Sequence, residues 1–534
     1  MGDTEPSSKE PTAVTIGSLS IRGFVSQLGV ANFLGIPYAE IPARFRQAKL
    51  LRPETLKGVH DGTKFGPRAP QPPDKPKALR AHFYEGVTLS ETIPCSEFGC
   101  LNLNVYGPPE AVGTQQKLPV YVWIHGGGFT LGDGGAEYDG NFLTSHAIKS
   151  GKPMIYVGIN YRLGYLGWLT SQELVDEAVN AGEKPFRNVG LLDQRLALQW
   201  IQQNISHFGG DPDNVTISGE SAGAWSVLAH LRSDLPVCKR GIIMSCPSSV
   251  FADLETNQAT FDKLVASAGV PVDAPATEKL AALRDMTFEQ LDSLRDGFPT
   301  TAWDPEWLVG LNPKLPLEYV EQFPEWVESV IVGFTRDEFS LFGISRNIHK
   351  WTAQEIRERV AAIIPDQTFL EEVIETYGID KDSDETARKG LFALASDSMF
   401  GIAPLKIGQY TKIPVCVYRF DQADVYEKSV FKGYAFHAID SLYSPRFPAL
   451  AESSAPRECR ATADHHSKML IDFTYGEQPW ETYATGKKIM RFDGENSGLF
   501  ECPEGLARLE KMMATKEKEI MFRKGPWQLL RRSS

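Results

Sequence analysis

A serine enclosed by two glycines is the strongest chemical signal in the sequence. In Gly219-Glu-Ser-Ala-Gly223, Ser221 follows the β-rich run 214–218 and precedes a helical stretch from Ala222 to Arg232. A strand-to-helix turn of this kind exposes the serine hydroxyl, and small flanking residues are needed because larger ones would strike the adjacent strand and helix. The helix directs its positive end at Ser221, and the Ala222 N–H can donate to an oxyanion. The pattern predicts a nucleophilic serine.

A cluster of glycines upstream supplies the other donors that such a serine needs. His125-Gly-Gly-Gly-Phe129 follows the apolar run 119–124, which reads as a buried strand. Glycines let the chain bend so that the N–H groups of Gly127 and Gly128 point at a reacting carbonyl oxygen. The spacing does not match a dinucleotide-binding loop, and no Lys-Ser or Lys-Thr follows as in a phosphate-binding loop. We therefore predict an oxyanion hole formed by Gly127, Gly128 and Ala222.

A general base must come from the histidines that follow the serine in the chain. His230 lies on the same helix that Ser221 opens and cannot turn back to its hydroxyl. His349 lies in a charge-rich helical region, and the pair 465–466 lies in a predicted helix, where histidines are usually surface residues or caps. His437 follows the predicted strand 415–420 in an apolar loop, which is where a base carried by a loop is expected. We predict that His437 is the base.

The acid that orients this histidine should follow an intervening strand. Asp337 and Glu338 both come after the apolar run 330–334. Either carboxylate could accept a hydrogen bond from His437 and fix its tautomer. The residues alone leave the choice open.

The alternation of strand-like and helical segments along the chain predicts that these groups lie on a mostly parallel sheet flanked by helices. Apolar runs at 119–124, 154–159 and 215–218 read as strands, and the periodic segment 190–204 between the last two reads as a helix. Helical patterns at 276–294 and 352–364 predict insertions that form a cap. We expect a flexible tail at 1–13 and a single α/β domain at 14–534, with mainly helical insertions at about 254–400.

Composition narrows the partners and the compartment. The 534 residues include 55 Lys and Arg against 68 Asp and Glu, a net charge of −13, and no basic run suits a nucleic acid. No apolar run reaches the roughly 20 residues of a membrane span, and the polar N-terminus does not resemble a secretory signal. Seven cysteines are too few and too irregular for a disulfide framework, which favours a reducing compartment. We expect a cytoplasmic protein.

Longer motifs carry a resemblance to a known family. The run from Asn204 to Ala224, with the segments 33–39, 101–106, 188–194 and 471–480, strongly resembles the type B carboxylesterase and lipase family, relatives of the cholinesterases. This resemblance extends over nearly the whole chain. It implies an α/β-hydrolase fold and the hydrolysis of carboxylic esters. It also implies that Glu338 is the acid and His437 the base.

The expected reaction follows from that assignment. Ser221 attacks the ester, His437 takes and returns the proton, and Glu338 orients the imidazole, so an acyl-enzyme forms and no cofactor or metal is needed. The partner is a small apolar ester. Two alternatives stay open: the same groups could transfer the acyl group to another acceptor in a biosynthetic step, or the protein could be an inactive binding protein on this fold.

Aromatic residues near the predicted triad could shape the substrate pocket. Trp225 lies on the elbow helix, and Phe339 and Phe342 follow the acid. The family has a glycine where this chain has Phe339, so a crowded acid loop is expected.

Secreted relatives pair a cysteine that follows a Phe-Gly-Pro-type turn with the one at Cys100, and Arg68-Ala69 offers no such first partner here.

Overall fold

The computed structural model of the protein describes most of the chain. The described residues are 10–52, 57–73, 79–85, 87, 93–248, 251–308, 311–312, 315–320, 322–379, 383–501, 504–525 and 528–529. Residues 1–9 of the predicted tail and Cys502 lie outside them.

One large sheet forms the centre of the molecule. Strands form where β-branched and aromatic residues alternate or run continuously. The strands are β1 (Glu10–Ile16), β2 (Leu19–Val25), β3 (Ala31–Pro37), β4 (Ala39–Glu40), β5 (Lys49–Leu50), β6 (Gly58–Asp61), β7 (Asn102–Gly107), β8 (Leu118–Ile124), β9 (Ile155–Ile159), β10 (Gly210–Glu220), β11 (Arg240–Met244), β12 (Ser329–Thr335), β13 (Val415–Phe420), β14 (Lys488–Phe492) and β15 (Gly498–Glu501).

The sheet is parallel in its centre and mostly antiparallel toward its edges, where only the short β6 pairs in parallel, with β2, among the described strands. Its order is β1-β2-β3-β7-β9-β8-β10-β11-β12-β13-β14-β15, with β6 beside β2, and β4 pairs separately with β5. All neighbours from β9 through β14 are parallel. The central strands are buried on both faces, as β8 and β9 show along almost their whole length. The carboxyl ends of these strands meet at one edge, where a site is expected in an open α/β sheet.

Helices cover both faces of the sheet. They are α1 (Asn141–Lys149), α2 (Gly164–Trp168), α3 (Gln172–Asn180), α4 (Val189–Asn204), α5 (Ala222–Leu231), α6 (Leu254–Ser267), α7 (Ala276–Asp285), α8 (Phe288–Ser293), α9 (Ser340–Ser345), α10 (Ala353–Ile363), α11 (Gln367–Tyr377), α12 (Asp384–Ser396), α13 (Ile402–Gly408), α14 (Ile439–Tyr443), α15 (Pro448–Ala451), α16 (Arg457–Thr474), α17 (Tyr483–Gly486), α18 (Glu504–Met512) and α19 (Lys516–Lys524). A π-helical turn at Asp397–Gly401 joins α12 to α13.

The predicted fold class is confirmed, with local corrections. The predicted helix at 276–294 is two helices, because Thr287 caps α8 in a capping box with Gln290 and breaks the chain direction after Met286. The sheet begins at Glu10, so the last residues of the predicted tail belong to β1 and pair with β2. The helical region that follows β11 contains β12, as expected, and extends to Gly408.

Within the described part of the chain, one helical stretch is long and apolar enough to cross a membrane by length and composition. It runs from Asp384 to Gly408, and most of it is buried inside the protein. A core helix has the same properties, and the contacts of this stretch are described below.

Candidate active site

The predicted nucleophile lies at the sharp bend between β10 and α5. Ser221 has φ 54° and ψ −118°, a positive-φ conformation that costs a residue with a side chain of order 1–3 kcal/mol. A methyl group added to Gly223 would lie 2.1 Å from the carbonyl oxygen of Ile124, and one added to Gly219 would lie 2.6 Å from the backbone of Gly223. The tight packing of backbone against backbone is what the two glycines permit.

The glycine loop after β8 lies directly beside this bend. A methyl group added to Gly126 would lie 3.3 Å from Ser221 Cβ. Gly127 and Gly128 have φ values of 103° and 61°, in the region that favours glycine. Among the described residues, neither of their N–H groups donates to a backbone carbonyl, and Ala222, as the first residue of α5, has no helical acceptor for its N–H. Three donors are thus available around the serine.

The predicted acid and base are in direct contact. His437 Nδ1 lies 2.5 Å from Glu338 Oε2. The other oxygen of Glu338 accepts hydrogen bonds from the Thr335 N–H and from the Ser245 hydroxyl, each at 2.7 Å. Both Glu338 and His437 are buried. A carboxylate held by three donors fixes the orientation of the imidazole and its tautomer.

Asp337, the alternative acid, has a different position. Its Oδ2 accepts a hydrogen bond from the Ala435 N–H at 2.9 Å, and its own N–H donates to the Ala435 carbonyl at 2.9 Å. Arg336 also pairs with this carboxylate. Asp337 therefore fastens the loop that carries His437, and of the two carboxylates it is Glu338 that reaches the ring.

A second carboxylate faces the far side of the imidazole. His437 Nε2 lies 3.0 Å from Glu220 Oε1, and among the described residues that oxygen has no aligned hydrogen-bond partner. No hydrogen bond joins Ser221 Oγ to His437 among the contacts of the described residues. The structure thus brings the three predicted triad residues to one edge of the sheet, with Glu220 beside the nitrogen that would serve Ser221.

The charges around the imidazole shift its titration. Burial lowers the pKa of His437, but the negative charges of Glu220 and Glu338 and the hydrogen bond that His437 donates to Glu338 outweigh it, so the pKa lies above its ordinary value. Burial raises the pKa of Glu220 to about 8, against the opposing charge of His437. Asp440, also buried nearby, has a pKa raised to about 6 by burial. Perturbed groups gathered in this way are typical of functional sites.

Aromatic rings cover the imidazole, and one of the three predicted pocket residues is among them. The ring centroids of Phe342 and Phe400 lie 5.1 Å and 4.4 Å from that of His437. Phe339 is fully buried and packs on Phe392 at 5.5 Å. Its side chain therefore points into the helical region, and it leaves the contact between Glu338 and His437 intact. No contact of the described residues brings Phe339 to the imidazole.

Trp225 belongs to an aromatic cluster beneath the oxyanion loop. Its ring lies 5.7 Å from Phe129, 6.3 Å from Trp168 and 5.5 Å from Phe251. Only 3% of Trp225 is exposed, so most of its surface packs against other residues. Through Phe129, which directly follows Gly128, the cluster supports the loop that carries the predicted oxyanion donors.

An exposed ring covers the outside of the same loop. Phe298 is 40% exposed, and a methyl group added to Gly128 would come within 2.3 Å of two of its ring carbons. The segment that carries Phe298 is held on one side by an ion pair between Arg295 and Asp292, and on the other by the hydrogen bond from Ala252 N–H to Thr301. Phe298 therefore lies on the solvent side of the predicted oxyanion hole, beside Gly128.

Sequence reasoning did not assign a role to Glu220, Ser245, Phe298 or Phe400. A signal existed for two of them: Glu220 is part of the serine motif itself, and Ser245 follows a parallel strand at the edge where functional residues gather. No local pattern marks Phe298 or Phe400, because each reaches the site from a distant part of the chain.

The histidines rejected as bases have other surroundings. His230 Nε2 lies 3.1 Å from Gln194 Oε1. His466 was expected at the surface but is fully buried among Tyr418, Phe420 and Phe492. Burial lowers its pKa to about 3, so it stays neutral.

Comparisons with known proteins agree with this arrangement. The chain is 32% identical over 429 residues to the para-nitrobenzyl esterase of Bacillus subtilis (strain 168), covering 77% of this chain and 78% of that protein. It is 32% identical over 427 residues to the acylcarnitine hydrolase of Mus musculus, covering 76% and 71%. The alignments with secreted lipase 1 of Botryotinia fuckeliana (strain B05.10) and lipase 2 of Diutina rugosa span 59% and 63% of those two proteins.

A solved structure and a family profile extend the match. The structure of a thermophilic PNB esterase superposes with a TM-score of 0.72 at 27% identity, covering 93% of this chain and 99% of that one. The sequence profile of the carboxylesterase family matches residues 10–520. This match covers nearly the whole chain and includes every residue of the site described above. The chain therefore belongs to the carboxylesterase family.

Proposed function

We propose that the protein is a serine hydrolase that cleaves carboxylic esters of small molecules through an acyl-enzyme. The observation that carries this proposal is the contact between Glu338 and His437 beside the bend at Ser221. Ser221 Oγ attacks the ester carbonyl as His437 removes its proton, and the N–H groups of Gly127, Gly128 and Ala222 stabilise the oxyanion. His437 then protonates the leaving alcohol and activates the water that releases the acid.

The proton transfer requires His437 Nε2 to leave Glu220 and to contact Ser221 Oγ instead. In the structure this nitrogen lies beside Glu220, the residue directly before Ser221. The ring is held firmly at Nδ1, where Glu338 binds it, while the contact at Nε2 is an ion pair without hydrogen-bond alignment. A rotation of the ring about the Nδ1 contact would move Nε2 away from Glu220 and let it accept the proton of Ser221 Oγ. Glu220 would then stabilise the imidazolium that forms in the transition state.

The substrate is an ester with apolar groups on at least one side of the bond. Phe342 and Phe400 beside the imidazole, and Phe298 at the oxyanion loop, present apolar surfaces around the reacting carbonyl. An apolar group that leaves water for such surfaces gains about 25 cal/mol per Å² buried. A charged group in the same place would lose its hydration.

Turnover of a panel of p-nitrophenyl esters of increasing acyl length tests the proposal. The Ser221→Ala variant should lower kcat by at least about 10⁴-fold, since removing the nucleophile of a triad leaves only binding and the oxyanion hole. Ser345→Ala, which removes an exposed hydroxyl bonded to its own helix, serves as the matched control. Wild-type rates in Ser221→Ala, or a fluorophosphonate probe that leaves Ser221 unlabelled, would refute the proposal.

The same assay separates hydrolysis from acyl transfer. An alcohol added during turnover competes with water for the acyl-enzyme. A hydrolase releases mainly the free acid at low alcohol concentration. An acyltransferase forms the new ester as its main product under the same conditions.

We further propose that the protein works where thiols stay reduced, as in the cytoplasm. The six cysteines within the described residues are all free thiols, and five of them are buried. Oxidising compartments favour paired cysteines. Fluorescence microscopy of a tagged protein in its own cells tests this, and residence in the secretory pathway would overturn it.

A further inference from the structure

A π-helical turn interrupts the long apolar helical stretch from Asp384 to Gly408. Residues Asp397–Gly401 form this turn between α12 and α13. A π-turn fits one extra residue into a helix and changes the direction of the side chains that follow, and such turns often occur at functional sites. Apart from Asp397, the residues of the turn with measured burial are at most about 1% exposed. The inserted residue is therefore a feature of the interior.

The inner side of this turn contacts the loops that carry the triad. Phe400 packs on the ring of His437, with centroids 4.4 Å apart. Ser396, directly before the turn, accepts a hydrogen bond at its Oγ from the N–H of Phe339, at 2.9 Å. Phe339 is the residue that follows Glu338. One short segment thus touches the base and holds the loop of the acid.

The turn also contacts the segment that follows β11. The carbonyl of Met399 accepts a hydrogen bond from the N–H of Ser248 at 2.7 Å. This segment begins at Ser245, whose hydroxyl binds Glu338. The turn and the residue before it therefore contact the acid loop through Ser396 and the segment 245–248 through Met399, and they contact the base directly through Phe400.

The outer side of the turn is held by the C-terminal helices. Asp397 Oδ2 accepts hydrogen bonds from Arg508 Nε of α18 and from the Tyr377 hydroxyl, both at 2.9 Å. A methyl group added to Gly401 would lie 3.2 Å from the side chain of Leu509, the next residue of α18. In α19, Arg523 Nη1 lies 2.7 Å from Glu318 Oε1 and also donates to the Ser248 hydroxyl.

We propose that the π-turn positions His437 and Glu338, and that the ion pair between Asp397 and Arg508 of α18 holds the turn in place. Asp397 and Arg508 are positioning residues: they act on the imidazole through Phe400 and on the acid loop through Ser396. This inference rests on the proposed ester hydrolysis for its rate readout. The pair is partly buried, with 13% of the Asp397 side chain and 28% of the Arg508 side chain exposed, so breaking it leaves a poorly hydrated carboxylate without its counter-charge.

The Arg508→Ala variant tests the proposal against Lys511→Ala on the same helix. Lys511 is exposed, and its bond to Thr376 does not involve a residue of the turn. Because a displacement of about 1 Å can cost up to about 100-fold in rate, Arg508→Ala should lower kcat by about 10- to 100-fold, with KM within about twofold of wild type. Arg508→Lys, which keeps the charge, should recover most of the rate. Lys511→Ala should behave as wild type.

A readout without substrate separates positioning from general destabilisation. The proton between His437 Nδ1 and Glu338 gives a strongly deshielded proton NMR signal, which reports the geometry of that contact. It should move or broaden in Arg508→Ala at a temperature where circular dichroism shows the variant folded, and stay in place in Lys511→Ala. An unmoved signal in folded Arg508→Ala, or wild-type kcat, would overturn the proposal.

The two measurements also distinguish this proposal from the proposed function. If the wild-type protein cleaves no ester but the proton signal still responds to Arg508→Ala, the positioning role stands and ester hydrolysis fails. If the wild-type protein cleaves esters and the signal is unmoved in Arg508→Ala, the positioning role fails alone.

Discussion

Replacing Glu220 by glutamine should move the acidic limb of the pH profile. In the wild-type protein the neighbouring carboxylates hold the pKa of His437 above its ordinary value. The histidine must be neutral to accept the proton of Ser221, so kcat/KM should fall as pH decreases through a midpoint above about 6.5. This midpoint lies above the pKa of an ordinary histidine, which is about 6.5. Glutamine keeps the shape of the side chain and removes its charge.

The expected size of the shift follows from the distance. Two unit charges 3.0 Å apart, as His437 Nε2 and Glu220 Oε1 are, attract by roughly 5 kcal/mol at an effective dielectric constant of about 20. Burial raises the pKa of Glu220 to about 8, so this carboxyl is mostly protonated at the pH of the acidic limb and exerts only part of this attraction. Opposite charges at this range usually change a pKa by about 1 to 3. Because Glu220 carries its charge only in part there, we expect the midpoint in Glu220→Gln to fall by at most about one pH unit.

The assay is kcat/KM for one p-nitrophenyl ester from about pH 5 to 9, because this parameter reports the free enzyme. Glu477→Gln is the control, since Glu477 pairs with Lys152 at the surface. The control should reproduce the wild-type limb. If the limbs of Glu220→Gln and wild type coincide, Glu220 does not act on His437 and the reasoning is wrong.

Two further substitutions test the support of the acid Glu338 and the access of substrate past Phe298. Ser245→Ala removes a hydrogen bond of 2.7 Å to the buried carboxylate of Glu338, so the free energy of unfolding in urea should fall by about 1.5–3 kcal/mol, and an unchanged value would contradict this role. Some turnover should persist because the Thr335 N–H still holds the acid. Phe298→Ala should raise kcat/KM for bulky acyl esters relative to acetate; an unchanged ratio across the ester panel would show that this ring does not limit access.

Much of the fold could be predicted because its signals are local. The strand Val415–Phe420 has the bounds expected from its continuous β-branched and aromatic run. The bend at Ser221 is encoded by the two glycines that its backbone contacts require. The helix predicted at 276–294 failed for a local reason as well: apolar spacing continued across Thr287, while the capping box that divides the helix has a weaker pattern.

The parts of the site that could not be predicted depend on contacts between distant residues. Phe339 replaces a glycine of the family pattern, and its sequence position suggested a crowded acid loop. The structure turns the ring toward Phe392, which no spacing rule could indicate. Likewise, His466 resembles a surface residue of a polar helix, yet the aromatic rings of two neighbouring strands enclose it. In both cases packing, and not local pattern, decides where the side chain lies.

The order of the strands has a consequence for the protein during its synthesis. The serine bend forms between β8 and β11, so its residues leave the ribosome about two hundred residues before His437 does. A nascent chain therefore carries the hydroxyl long before any group can take its proton, and a product terminated prematurely before β13 has no base at all. On the proposed mechanism, only translation products that extend beyond His437 can become acylated.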